Sequence, residues 1–141
     1  MRISDGPNAT TSAWEDRALR VVPHTQAWIG GRFTDAATGK RFETICPRDG
    51  SVLAEVARCG PEDVDRAVRA AREAFEDGRW ARKAPAERKE ILLRLARLIE
   101  DRLEDLALLE TLDVGKPISD TLAVDVPAAA SYFRWYAEAV D

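Results

Sequence analysis

The side chains in this sequence best suited to nucleophilic or metal chemistry are two cysteines, Cys46 and Cys59, and a single histidine, His24. A reactive thiol needs partial exposure and a lowered pKa, usually from a helix N-terminus or a neighbouring cation. Cys59 lies just before Gly60-Pro61, where a helix is expected to begin, and is the better placed of the two; Cys46 precedes Pro47 at a strand end. Both read by default as small buried or inert residues. They form no Cys-x-x-Cys unit and neither neighbours His24, so a zinc site or disulfide framework is not expected. His24 reads as an exposed residue. The adjacent carboxylates Glu15-Asp16 and Glu104-Asp105 fall on faces expected to be solvated, without the burial that tunes a catalytic acid.

Two glycine-containing stretches invite comparison with phosphate-binding loops. Gly30-Gly31 lacks both the later glycine and the strand-to-helix setting of a dinucleotide loop, and suits a hairpin turn with positive φ. Gly115-Lys116-Pro117 has Pro where a P-loop needs Ser or Thr and Glu110 where it needs Gly, which leaves a helix C-terminus. Read from its residues alone, the chain presents no convincing active site.

The elements that would position these residues change character along the chain. Residues 1–26 are polar and irregular apart from Trp14 to Leu19, a short amphipathic turn, and read as a leader that docks on something larger. Residues 27–57 hold short β-type runs at Trp28-Ile29, Arg32-Phe33, Arg41 to Cys46 and Val52 to Ala57, with Pro47-Arg48-Asp49-Gly50 as a turn. After Gly60 the apolar period becomes helical. Pro61, Glu62 and Asp63 suit a first turn, Val64, Ala67, Val68, Ala71 and Phe75 form a stripe, and Gly78 ends it. A second helical pattern starts near Pro85 and continues through Leu112 to Gly115 and Pro117. Asp125 is expected to cap a last helix carrying Ala130, Phe133, Trp135, Tyr136 and Val140, with Pro127 in its first turn. The aromatic positions of that helix need a covering layer, and Val140-Asp141 carries no stop signal. Apolar surface is therefore expected to be left over, as in a chain that has been cut.

The whole-chain numbers exclude several classes. At 141 residues, 45% hydrophobic and 33% charged, the chain has the composition of one soluble globular domain. Its 21 Lys+Arg are interleaved with 25 Asp+Glu for a net charge of −4, so neither nucleic acid nor a membrane is an expected partner. Met1 to Ser12 lacks the apolar stretch of a secretory signal, which makes the cytoplasm the expected location.

In order and spacing, Trp28-Ile29-Gly30-Gly31-Arg32-Phe33, Pro47-Arg48-Asp49-Gly50, Asp63 to Val68, Pro85-Ala86-Glu87-Arg88 and Glu110-Thr111-Leu112-Asp113-Val114-Gly115-Lys116-Pro117 resemble the N-terminal segment of the aldehyde dehydrogenases. Trp14 to Leu19, Lys116-Pro117-Ile118 and Phe133 to Ala139 are further similar to the bacterial γ-glutamyl-γ-aminobutyraldehyde dehydrogenases of polyamine breakdown. The resemblance covers residues 27–141. It implies an α/β fold in which N-terminal strands plus amphipathic helices form an incomplete part of a Rossmann-like cofactor-binding domain.

It also implies an NAD- or NADP-dependent oxidation of an aldehyde, such as an aminoaldehyde, to a carboxylic acid by a homo-oligomer, with the family's catalytic Cys and Glu and its cofactor glycines downstream of this chain. The segment alone is expected to be inactive, poorly soluble or partly molten. One family feature falls inside it: a monovalent-cation site formed by strand backbone and an Asp, which by motif corresponds to Thr44, Ile45 and Asp113, with a further ligand from beyond this chain, the alternative being that Asp113 only finishes its helix. Cys46 stands where the family usually has Asn, and Val114 where Asn or a small polar residue is common. A noncatalytic helical interaction or regulatory module remains the second reading.

Overall fold

The computed structural model describes residues 11–140, so Met1 to Thr10 of the expected leader and Asp141 lie outside the described residues. Helix α1 (Thr11–Ala18) leads into an extended stretch and then two antiparallel hairpins, β1 (Ala27–Ile29) with β2 (Arg32–Thr34) and β3 (Arg41–Ile45) with β4 (Val52–Ala57). In the first, Trp28 faces Phe33 across the pair, and Gly30 and Gly31 both take positive φ, the requirement of a two-residue turn that matches strand twist. In the second, Gly50 at φ 76° closes the expected Pro47 turn.

Helix α2 (Pro61–Glu76) begins as expected, with Pro61 in its first turn and Gly78 beyond its end at φ 73°. Its packing face is the less apolar one. Ala67, Ala70 and Ala74 are partly covered, while Val64, Val68 and Phe75 are 56%, 60% and 68% exposed. Small side chains let the hairpin backbone come close: a Cβ on Gly30 would lie 3.9 Å from that of Ala70.

The long pattern after Pro85 divides into α3 (Pro85–Asp101) and α4 (Leu103–Val114), broken at Arg102 with φ −113° and ψ 18°. No Gly or Pro marks that break. Where Asp125 was expected to start the last helix, the chain is already helical: α5 (Ile118–Asp120) runs through a π-helical turn at 121–125 into α6 (Val126–Glu138). Asp125 is helical and makes no capping bond; its carboxylate instead accepts two hydrogen bonds from Lys116 Nζ, at 2.8 and 2.6 Å. The wider turn has a physical reason in Pro127, which has no N–H to donate and clashes with the carbonyl four residues back in a regular helix.

Helix α3 packs chiefly on α6, and the buried apolar residues are mostly alanines: Ala96, Ala107, Ala130 and Ala137, with Leu108, Val126, Ala36 and Cys46. Full burial of a Leu or Val side chain contributes about 1.5–3 kcal/mol. With few such residues inside, the core is thin. Trp135 is 65% exposed and Tyr136 60%, so the aromatic face of the last helix is uncovered among the described residues, as the sequence led one to expect. A buried polar contact joins α4 to the π turn: Thr111 Oγ1 lies 3.0 Å from Thr121 Oγ1, and the Thr121 hydroxyl donates to the Ile118 carbonyl at 3.1 Å.

Candidate cation site and its surroundings

The end of β3 and the end of α4 meet through backbone geometry. Between Thr44 and Ile45 the β3–β4 register shifts, so that Thr44 pairs with Ala54 but Ile45 with Val52, an irregularity of the kind that re-aims a strand's side chains. Helix α4 stops at Gly115, whose φ of 80° suits a left-handed C-cap and whose N–H bonds the Thr111 carbonyl at 3.0 Å. A side chain there would strike the turn after β3, because a Cβ on Gly115 would lie 2.8 Å from Cγ of Pro47.

This close approach sets Asp113 beside Thr44, with Thr44 Oγ1 3.5 Å from Asp113 Oδ1, the outer limit of a hydrogen bond. Both residues line a cleft of about 520 Å³ whose walls include Phe42, Leu53, Leu109 and Glu110. A hydroxyl and a carboxylate converging at the edge of a cleft form an oxygen donor set of the type that holds a hard cation. Ile45 has a hydrocarbon side chain with no ligating atom, so any part it takes in such a site would be through its backbone carbonyl.

The other chemistry-bearing residues are spread apart. Cys46 is buried and Cys59 exposed. His24 is exposed and stacks on Phe33 with ring centroids 4.2 Å apart. Of the carboxylate pairs, Glu15 and Asp16 are both exposed on α1, whereas Glu104 and Asp105 receive Arg17 at 2.6 and 3.2 Å and so hold α1 against α4. Gly30-Gly31 is a hairpin turn and Gly115 a helix cap, in agreement with the reading of both stretches.

Asp63 does more than its expected contribution of charge to a helix start. Only 1% exposed, it accepts hydrogen bonds from the N–H groups of Gly60 at 3.0 Å and Ala37 at 2.9 Å, and from Arg66 at 3.3 Å. The Gly60 N–H, then that of Ala37 and the charge of Arg66, hold its carboxyl below the usual range against the opposing effect of burial. The Gly60 contact was open to recognition as the acidic third residue of a capping box. The Ala37 contact spans the fold and carries no local signal. At the surface, the hydroxyl and N–H of Ser51, with Arg48, hold Asp49 well below the carboxylate range and so tie the turn that carries Pro47. Asp125 likewise holds Lys116 above the usual lysine range.

The sequence profile of the aldehyde dehydrogenase family matches residues 33–141, and the chain belongs to that family. It is 48% identical over 128 residues to the NADP/NAD-dependent aldehyde dehydrogenase PuuC of Escherichia coli, a match that covers 91% of this chain and 26% of that protein. It is 50% identical over 116 residues to an aminoacetaldehyde dehydrogenase of Pseudomonas aeruginosa, covering 82% of this chain and 23% of that protein. Its fold matches the crystal structure of a γ-glutamyl-γ-aminobutyraldehyde dehydrogenase from Burkholderia cenocepacia with a TM-score of 0.92 and 49% identity, over 94% of this chain and 27% of that one. The chain thus spans about a quarter of the length of these relatives. Its mixture of strands and helices is part of the dehydrogenase fold, as the resemblance implied. Among the described residues no helix is long and apolar enough to cross a membrane.

Proposed function

We propose that the protein to which this chain belongs is an NAD(P)-dependent aldehyde dehydrogenase that oxidises an aminoaldehyde to its carboxylic acid. In this reading residues 27–141 are the N-terminal part of its cofactor-binding domain and residues 1–26 a docking leader. The observation that carries it is the match to the Burkholderia enzyme, in sequence and in fold, across nearly all of this chain. The relatives' names supply the aminoaldehyde. The nicotinamide, when bound, would accept the hydride; the described residues contribute scaffold and hydrogen bonds to that domain and no reacting group. A cytoplasmic homo-oligomer is part of the same reading.

A chimera tests it. Residues 27–140 of this chain would replace the matching segment of the Burkholderia enzyme, and reduced nicotinamide would be followed with γ-glutamylaminobutyraldehyde as substrate. Turnover within about tenfold of the parent is expected, a loss of no more than ~1.4 kcal/mol in transition-state stabilisation. A chimera that cannot fold, or folds and is silent, overturns the equivalence. This chain by itself should show no turnover.

Within that reading, the backbone at Thr44 and Ile45 and an Asp113 carboxylate oxygen would hold a monovalent cation and so tie β3 to the end of α4. The 3.5 Å approach of Thr44 to Asp113 supports it.

A further inference from the structure

The turn of the first hairpin and the middle of α2 enclose a shallow concavity of about 280 Å³ lined by Ile29, Gly30, Arg32, Arg66, Arg69 and Glu73, with Ala70 at its floor. Three arginines and one glutamate therefore border one small recess, a surplus of positive charge. Arg66 is held in place by one Nη on Asp63 at 3.3 Å, and four of the roughly five N–H donors of a guanidinium remain for other use. Arg32 and Arg69 are exposed and make no ion pair among the described residues, although Glu73 lies one helical turn beyond Arg69. Glu73 acts electrostatically on Arg79, whose proton is held chiefly by Asp77 and to a lesser degree by Glu73. Among the described residues some arginines pair with carboxylates, as Arg17, Arg41, Arg48, Arg79 and Arg134 do, and others, Arg58 among them, do not; what sets Arg32 and Arg69 apart is that both border the same recess. Unpaired guanidinium forks at a concave surface suit planar or tetrahedral oxyanions, which they bind in bidentate fashion.

We propose that this recess binds a small phosphate-bearing anion, gripped by Arg32 and Arg69 from the hairpin and the helix, with Arg66 fixed between them by Asp63. The recess has room for a head group of one or two phosphates and little more, so the rest of such a ligand would project into solvent. Gly30 and Ala70 also line it, and their small size lets hairpin and helix approach closely there, a Cβ on Gly30 lying 3.9 Å from that of Ala70. The inference does not depend on which aldehyde the protein oxidises.

Pyrophosphate is the probe. Calorimetric titration of the chain at low ionic strength should give saturable one-to-one binding that weakens as salt is raised, and the amide resonances of Gly30 and Ala70 should shift along the same isotherm. R32S/R69S should lose about tenfold or more in affinity, ~1.4 kcal/mol, whereas R58S, which removes an exposed arginine elsewhere, should lose nothing. R69K, which keeps the charge and removes the fork, should weaken binding by an intermediate amount, and it decides the matter if the double variant does not fold. Unsaturable binding, equal losses in R58S and R32S/R69S, or unmoved Gly30 and Ala70 resonances would each overturn the proposal. So would displacement of pyrophosphate by an acidic peptide at lower concentration, which would assign the recess to a protein partner.

Discussion

Gly115 and Pro47 touch so closely that no other residue fits at the glycine: its missing Cβ would sit 2.8 Å from the proline Cγ, and its φ is 80°. The contact fastens the end of α4 to the turn after β3, and with it Asp113 to Thr44. G115A should therefore destabilise the chain by about 1–3 kcal/mol, from left-handed strain together with the clash. Urea unfolding followed by circular dichroism measures it, and an unchanged midpoint would show that the two elements are not coupled through this contact.

Asp63 should make stability depend on acid. Its native pKa is depressed, chiefly by the Gly60 N–H, so its contribution is fully present above the ordinary carboxylate range near pH 4 and is lost as pH falls through the lower native value. D63N removes that dependence along with the charge. We expect the variant to melt roughly 3–5 °C lower at neutral pH, with the gap from the parent closing as pH falls below the ordinary carboxylate range. A gap of constant size across the acid range would sink the assignment.

Thr111 and Thr121 share a hydroxyl contact at 3.0 Å, with Thr121 fully buried. T121V leaves the Thr111 hydroxyl without that partner and should cost about 1–3 kcal/mol, while T111V/T121V should cost less than the sum of the single changes. A double-mutant cycle by denaturant titration reads the coupling directly; strictly additive losses would mean the hydroxyls do not interact.

If Thr44, Ile45 and Asp113 hold a monovalent cation, potassium or sodium should raise the melting temperature above that in choline chloride of equal ionic strength. A saturating cation at about 100 times its Kd would contribute roughly 2.7 kcal/mol. D113A should abolish the difference. Identical melting in all three salts would count against the site.

Much of the strand layout was legible because hairpin chemistry is local. Gly30-Gly31 and Pro47 to Gly50 announce turns by what their residues alone can adopt, and Pro61 and Gly78 bracket α2 for the same reason. What escaped depends on distant partners. The break at Arg102 has no breaker residue to announce it. The role of Asp125 passed from cap to partner of Lys116 because the preceding segment was already helical. On α2 the strongest apolar stripe is the one left exposed, since close approach to Gly30 favours the alanine face. Thr44 and Asp113, 69 positions apart, could be joined only through the resemblance of their surrounding motifs to a family; spacing by itself says nothing about such a pair.

The uncovered aromatic residues also decide how the chain can be watched. Trp28, Trp80 and Trp135 are 62%, 41% and 65% exposed, and only Trp14, with Arg17 over its ring, is sheltered on α1. Most of the indole emission of the folded chain therefore arises in a water-rich setting, and denaturant will move its wavelength little. A soluble quencher should reach these three rings readily before any unfolding. Covering Trp135 with a bound surface would shift the emission to the blue, so intrinsic fluorescence reports association of this chain better than it reports folding.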